Sequence, residues 1–315
     1  MTDDTLYARM QDAVDIVANS PHPANKIAAT VAGADGGFAL SLTNSWPEPI
    51  DKKIGRATRI GNSSGTIHAE TACLIHAPGP VKNGALFVTD PPCPNCVKNM
   101  AEAGIKTLYI DHKGFDKDFA QRRGHHFTSM SMRICEKAGI SVYEIWRKEK
   151  KLVPILEVPE NYTPPLENAS LTESAGTAMD HASFAKHVEM RAAHYQDKPF
   201  AVAAARDKAG AWFVISAETH PVIGYTSEMP EDLEGKYNVL LQPVNRVIMT
   251  AARRGLTIDP AYLYSSIVPT ARELVNMTGA GLNKIAIGDI NASRDAFGPA
   301  ALKQLQNAGI LDASN

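Results

Sequence analysis

The sequence holds no apolar run approaching the roughly 18 residues that a membrane-spanning helix needs, which argues against an integral membrane protein. It also lacks a charge imbalance. Thirty-two Lys and Arg stand against 34 Asp and Glu, a formal charge of −2, so nothing calls for a polyanion and long nucleic acid is not the expected partner. Cysteine is scarce: four in 315 residues, Cys93 and Cys96 forming the one close pair. That is no disulfide framework of a small secreted domain, and in a soluble chain such a pair reads first as metal or redox chemistry. The start, Met1-Thr-Asp-Asp, has neither the basic segment nor the apolar core of a signal peptide, so the expected compartment is the cytoplasm. What is present is ordinary globular material, 44% hydrophobic and 21% charged, in a length that suggests two domains of about 150 residues.

Periodicity gives an α/β reading. Leu6, Met10, Val14 and Val17 mark an amphipathic helix ending before Pro21, and Ile27–Ala32 and Phe38–Leu42 read as a hairpin around Gly33-Ala-Asp-Gly-Gly37. Helices follow at 68–76, at 96–103 (closed by Gly104) and near 129–138, alternating with strands at 86–89, 105–110 and 140–145. A sheet with helices on its faces is implied. Residues 151–174, with Pro154, Pro159, Pro164 and Pro165, read as an extended linker. Beyond it the order of elements returns. "NMAEAGIKTLYI" at Asn99 lines up with "NMTGAGLNKIAI" at Asn276, and Gly36-Gly-Phe-Ala-Leu with Gly210-Ala-Trp-Phe-Val, which suggests a duplicated domain. The expected organisation is a first domain over 1–150, the linker over 151–174, and a repeat over 175–315.

The chemistry concentrates in His68-Ala-Glu70 and Pro92-Cys93-Pro-Asn-Cys96. Zinc prefers imidazole nitrogen and thiolate sulfur, and a catalytic zinc keeps three protein ligands with a fourth position for water. A Cys-x-x-Cys turn at a helix start aims two sulfurs at one point, where the helix dipole favours the thiolate. His68, Cys93 and Cys96 are therefore the expected Zn²⁺ ligands. Glu70, two residues beyond the histidine, is the expected proton shuttle and no ligand. The combination H-x-E with P-C-x-x-C is the signature of zinc deaminases. Cys73 and Cys135 lie on apolar helix faces and read as buried small hydrophobes. Gln121-Arg-Arg-Gly-His-His126 reads as a solvated polar loop, Trp46 as loop packing or a stacking surface, and the basic run Asp51–Arg59 as surface or as a phosphate contact.

Through "HAETACLIHA" and "VTDPPCPNCVKNMAEAGIKTLYI" the chain resembles the cytidine deaminase superfamily, in particular its deoxycytidylate deaminase branch, over roughly residues 5–147. The resemblance implies tandem three-layer α/β/α sandwich domains of the cytidine-deaminase-like fold. It implies hydrolytic deamination of a small molecule, a cytosine nucleoside, nucleotide or base, with the uracil product and ammonia released. It also implies that Asn44 and the backbone of Ala69 contact the substrate. Where such enzymes typically show Gly-Tyr-Asn-Gly-x-Pro, this chain has Leu42-Thr-Asn44-Ser-Trp46-Pro. Guanine, adenine or pterin-type deamination, a folate-linked formyl transfer, and a non-catalytic binding protein are the alternatives.

Carried across at an offset of 177, His68 falls on Asn245, Glu70 on Val247, Cys93 on Thr270 and Cys96 on Glu273, while an offset of 174 places Asn44 on Glu218. The second half contains no cysteine, so a degenerate, non-catalytic repeat is expected, packed on the first as an internal pseudo-dimer, as in long-form bacterial cytidine deaminases. Further homo-oligomers are compatible with this arrangement.

Overall fold

Central strands buried along their whole length are covered on both faces. In the computed structural model, which describes residues 2–117, 127–167, 169–228 and 238–314, a six-stranded sheet runs in the order β2-β1-β3-β4-β5-β6. Its strands are β1 (Ala28–Ala32), β2 (Ala39–Thr43), β3 (Ala85–Val88), β4 (Thr107–Asp111), β5 (Ser141–Trp146) and β6 (Lys151–Leu156). Side chains two apart share a face. Phe87 and Tyr109 meet Leu6 and Met10 of helix α1 (Asp3–Ile16) on one side. Leu86, Val88, Leu108 and Ile110 turn to the other side. That side is covered by α3 (Ala69–Ile75), α4 (Pro94–Ala103) and α5 (Met132–Ala138); the short α2 (Glu48–Lys53) lies in the connection from β2 to α3. Helix α4 closes at Gly104, whose φ of 76° lets Ile105 N donate back to Met100 O.

The second half repeats this plan. Its sheet runs β14-β13-β12-β8-β9-β7, with β7 (Leu171–Gly176), β8 (Phe200–Arg206), β9 (Trp212–Glu218), β12 (Thr257–Val268), β13 (Lys284–Ser293) and β14 (Asp312–Ser314). The run β9-β8-β12-β13-β14 matches β2-β1-β3-β4-β5 in order and in direction: antiparallel twice, then parallel twice. A two-stranded ribbon, β10 (His220–Pro221) with β11 (Leu240–Leu241), stands apart. Helix α6 (His181–Tyr195) packs Phe184 and Tyr195 against Phe200, Val202 and Val214. The opposite face, with Ala201, Ala203 and Ile215, joins α7 (Pro243–Arg254), α8 (Ala271–Gly279) and α9 (Phe297–Asn307). Each half is an α/β/α sandwich.

One buried apolar cluster runs through both halves, joining Val97 and Met100 of α4 to Val247 and Ile248 of α7. Polar groups cross the same boundary. Lys98 Nζ donates to Leu240 O at 2.9 Å, and Arg246 Nε lies 3.3 Å from Glu102 Oε1 with both side chains 1% exposed. The expected linker over 151–174 is extended, but both of its ends are strands: β6 edges the first sheet and β7 the second. Pro154 sits in β6 because an edge strand tolerates the missing N–H. Among the described residues, no helix is long and apolar enough to cross a membrane.

Candidate metal centre and active site

Two helix starts converge at the carboxyl end of β3. His68 is the N-cap of α3 and Cys93 the N-cap of α4, both in extended conformation; Pro94 occupies the first helical position, where its missing N–H costs nothing. His68 Nδ1 lies 3.5 Å from Cys93 Sγ and 3.3 Å from Cys96 Sγ, and the sulfurs are 3.7 Å apart. A tetrahedral ion with bonds of about 2.3 Å to sulfur and about 2.0–2.1 Å to nitrogen needs edges of about 3.8 Å and about 3.6 Å. The donor set fits zinc. No fourth His, Cys, Asp or Glu donor among the described residues joins the group.

The Cys93 thiol is held well below its usual range by a hydrogen bond from Cys96 and by His68, against the opposing effect of burial. Burial disfavours charge on His68, yet the neighbouring Cys93 thiolate raises its pKa. Glu70 lies in the first turn of α3 and is 3% exposed. Burial pushes its carboxyl up to about 7, and its Oε2 has no hydrogen-bond partner. A buried carboxyl with one unengaged oxygen is suited to hold and pass a proton.

A second layer supports the ligands. Thr71 Oγ1 donates to Cys96 Sγ at 3.7 Å, and Asn99 Nδ2 donates to Thr71 Oγ1 at 3.1 Å. Such partners orient the metal-binding group and tune its basicity. Neither residue was singled out from the sequence, although Asn99 stands in the repeated Asn-Met pair, which was the available signal.

Asn44 precedes Ser45, which bridges to Ile67 next to His68, and Ala69 follows His68 in the chain. Ala69 is the first residue of α3, where backbone N–H groups have no intrahelical acceptor. The Asn44 amide is heavily committed to the 20–27 segment: its Oδ1 accepts from Ser20 Oγ at 2.7 Å and Ile27 N at 2.9 Å, and its Nδ2 donates to Asn25 O at 2.8 Å. Trp46 is buried, stacked on His22 with ring centroids 5.5 Å apart, and Arg56 lies over its ring. The basic run is engaged within the protein. Arg56 forks onto Asp51, Lys52 meets Glu48, Lys53 Nζ donates to Gly309 O and Arg59 Nη2 to Asn62 O. Cys73 and Cys135 are buried away from the ligands, and burial raises both thiols, Cys73 up to about 12. Residues 121–126 lie outside the described residues.

The second half shows what fills the corresponding place. Its helices α7 and α8 begin at caps Gln242 and Thr270. Asn276 Nδ2 donates to Asn245 Oδ1 as Asn99 does to Thr71, so the first of these helices aligns at an offset of 174 instead of 177. Gln242 therefore matches His68, Val244 matches Glu70, and Glu273 matches Cys96. The three-residue difference from the sequence alignment is absorbed between the two helices. The Glu273 carboxylate accepts from Val244 N at 2.9 Å, from Thr270 N at 2.8 Å and from Thr270 Oγ1 at 2.8 Å. It ties the two helix starts together from the position of a metal ligand.

Residues 3–112 match the family model described as the cytidine and deoxycytidylate deaminase zinc-binding region. A curated relative from Aliivibrio fischeri, an uncharacterized deaminase in the luxG 3' region, is 24% identical over 123 residues, which is 39% of this chain and 81% of the relative. Among solved structures, the dCMP deaminase of cyanophage S-TIM5 in complex with dCMP and dUMP is 20% identical, with a TM-score of 0.34, covering 46% of this chain and 99% of that one. Its apo form is 26% identical with a TM-score of 0.29, covering 39% of this chain and 95% of that one. The His-Cys-Cys group lies inside the matched region, so residues 3–112 of this chain are similar to the zinc-binding region of cytidine and deoxycytidylate deaminases.

Proposed function

We propose that the chain is a hydrolytic deaminase acting on a nucleobase-containing small molecule, a cytosine nucleoside or nucleotide, and releasing the uracil product and ammonia. The observation that carries this reading is the pairing of a three-donor zinc set with the buried, half-unengaged carboxyl of Glu70. His68, Cys93 and Cys96 would hold the ion, which when bound supplies an activated water and charge stabilisation for attack on the amine-bearing ring carbon. Glu70 takes the proton from the attacking water and delivers it to the ring nitrogen, then assists the departing amine as ammonia leaves. The first-turn backbone of α3 at Ala69 borders the base. Asn44 contributes by holding the 20–27 segment, and its remaining Nδ2 hydrogen is the group left for a substrate.

In this reading residues 1–150 are the catalytic domain and residues 175–315 a non-catalytic deaminase-like repeat, because Gln242, Val244, Thr270 and Glu273 offer neither a zinc set nor a shuttle. The test is an ammonia-release screen of the zinc-loaded protein against free bases, nucleosides and monophosphates, with Glu70→Gln as control. Release from a cytosine compound by the wild-type protein alone supports the reading. No release from any aminated base by a zinc-loaded protein sinks it.

A further inference from the structure

The segment from Arg59 to Ile67 enters the metal centre directly, since His68 follows Ile67. It has little regular structure of its own: one isolated bridge joins Ile60 to Ser63 and another joins Ser45 to Ile67. A chain segment of this kind needs partners for its backbone polar groups. Several come from the other half of the molecule. Arg272, in the first turn of α8, donates from Nη1 to Thr66 O at 2.6 Å and from Nη2 to Ser64 Oγ at 3.4 Å. Gln304 of α9 uses both ends of its amide: Nε2 donates to Arg59 O at 2.9 Å, and Oε1 accepts from Gly61 N at 3.3 Å.

Packing closes on the same segment. A Cβ at Gly279 would stand 1.6 Å from Ile67 Cδ1, so the Ile67 side chain rests on the bare backbone at the end of α8. A Cβ at Gly61 would stand 2.7 Å from Phe297 O and 3.1 Å from Ala271 Cβ, so this loop backbone is seated against α8 and α9. The clamp has a firm base, because the start of α8 is tied to α7 by the Glu273 carboxylate, next in sequence to Arg272.

From this geometry we infer that Arg272 and Gln304 are positioning residues for the metal centre in the first half. By holding the backbone of residues 59–66 they fix the approach of His68, and through it the affinity of the His-Cys-Cys set for its ion. The second half thus carries a function for the first half's site in place of a site of its own. The inference rests on the zinc reading of His68, Cys93 and Cys96, and its test separates the two.

The experiment compares full-length wild type with Arg272→Ala, Gln304→Ala, the double variant and Arg272→Lys, each stripped of metal and titrated with Co²⁺. The readouts are the thiolate-to-cobalt absorption band, Co²⁺ affinity by chelator competition, and amide hydrogen exchange of residues 59–68. Supporting residues of this type change metal affinity by about 10–100-fold. The double variant should therefore bind Co²⁺ at least tenfold more weakly and exchange faster in 59–68, with β4 and β5 unchanged. Arg272→Lys, which can still reach one carbonyl, should recover part of the affinity. A wild type without a thiolate band overturns the zinc reading itself. A wild type with the band, and a double variant matching it in affinity and exchange, overturns the clamp alone. Should the double variant fail to fold, Gln304→Ala carries the same comparison, and unchanged exchange at 59–62 counts against the inference.

Discussion

Replacing Arg246 with methionine tests how firmly the halves are joined. Arg246 and Glu102 are each 1% exposed, with Nε 3.3 Å from Oε1, and Arg246 Nη1 also donates to Glu218 O at 2.9 Å. Glu102 Oε2 has no hydrogen-bond partner, so the pair is an imperfectly satisfied buried ion pair. Methionine would leave the Glu102 carboxylate dry, with only the charge of Arg253 left to face it, and breaking a buried pair in this way costs about 3–5 kcal/mol. If all 315 residues unfold together, an unfolding entropy of about 2.1 cal/mol/K per residue makes a loss of about 4 kcal/mol equal to a fall of about 6 °C in Tm. If a half of about 140 residues melts alone, the same loss becomes about 14 °C. Circular dichroism melts and urea titrations of wild type, Arg246→Met and Arg246→Met/Glu102→Leu give the answer. The double variant should recover most of the loss, since an apolar pair of similar volume often matches a buried ion pair. An Arg246→Met protein within about 1 kcal/mol of wild type, or a double variant as unstable as the single, would refute the reasoning.

Four further outcomes are expected. Glu70→Gln should keep about one zinc per chain by metal analysis while ammonia release falls by about 10²–10⁴-fold, the usual worth of a general acid–base group; near-normal turnover would remove Glu70 from the chemistry. Cys93→Ser or Cys96→Ser should lose the metal, seen as absence of zinc after gel filtration, because three donors cannot spare one. Chelator should lower the Tm of the zinc-loaded protein, as free zinc at about 1,000 times Kd is worth about 4 kcal/mol. Glu273→Ala should cost about 2–4 kcal/mol by stranding the Val244 and Thr270 donors, read by urea titration; a loss under about 1 kcal/mol would remove Glu273 as the tie between the two helix starts.

The site was legible because its determinants are local. Glu70 lies one turn into a helix capped by His68, and Cys93 and Cys96 straddle the start of the next, so short spacings and capping rules bring them to helix N-termini. The hairpin and the glycine-closed helices were readable for the same reason, and their return after the linker announced the second sandwich. Asn44 follows directly on β2, and only the folded chain shows how far Ser20, Asn25 and Ile27 occupy its amide. The strands at 151–156 and 171–176 were missed because an edge strand is defined by the neighbour it pairs with, and four prolines gave a stronger local signal.

Sequence alone thus determined the fold class and the residues of the candidate donor set, since each depends on contacts within a turn or two of helix or strand. Tertiary structure decided what the second half does with those elements. Arg272 meets Thr66 across 206 positions and Arg246 meets Glu102 across 144, and no periodicity records pairings of that range. The choice of Glu273 as the tie between α7 and α8 is of the same kind. A lone Glu one turn into a helix reads as an ordinary cap until the facing N–H of Val244 arrives from another element.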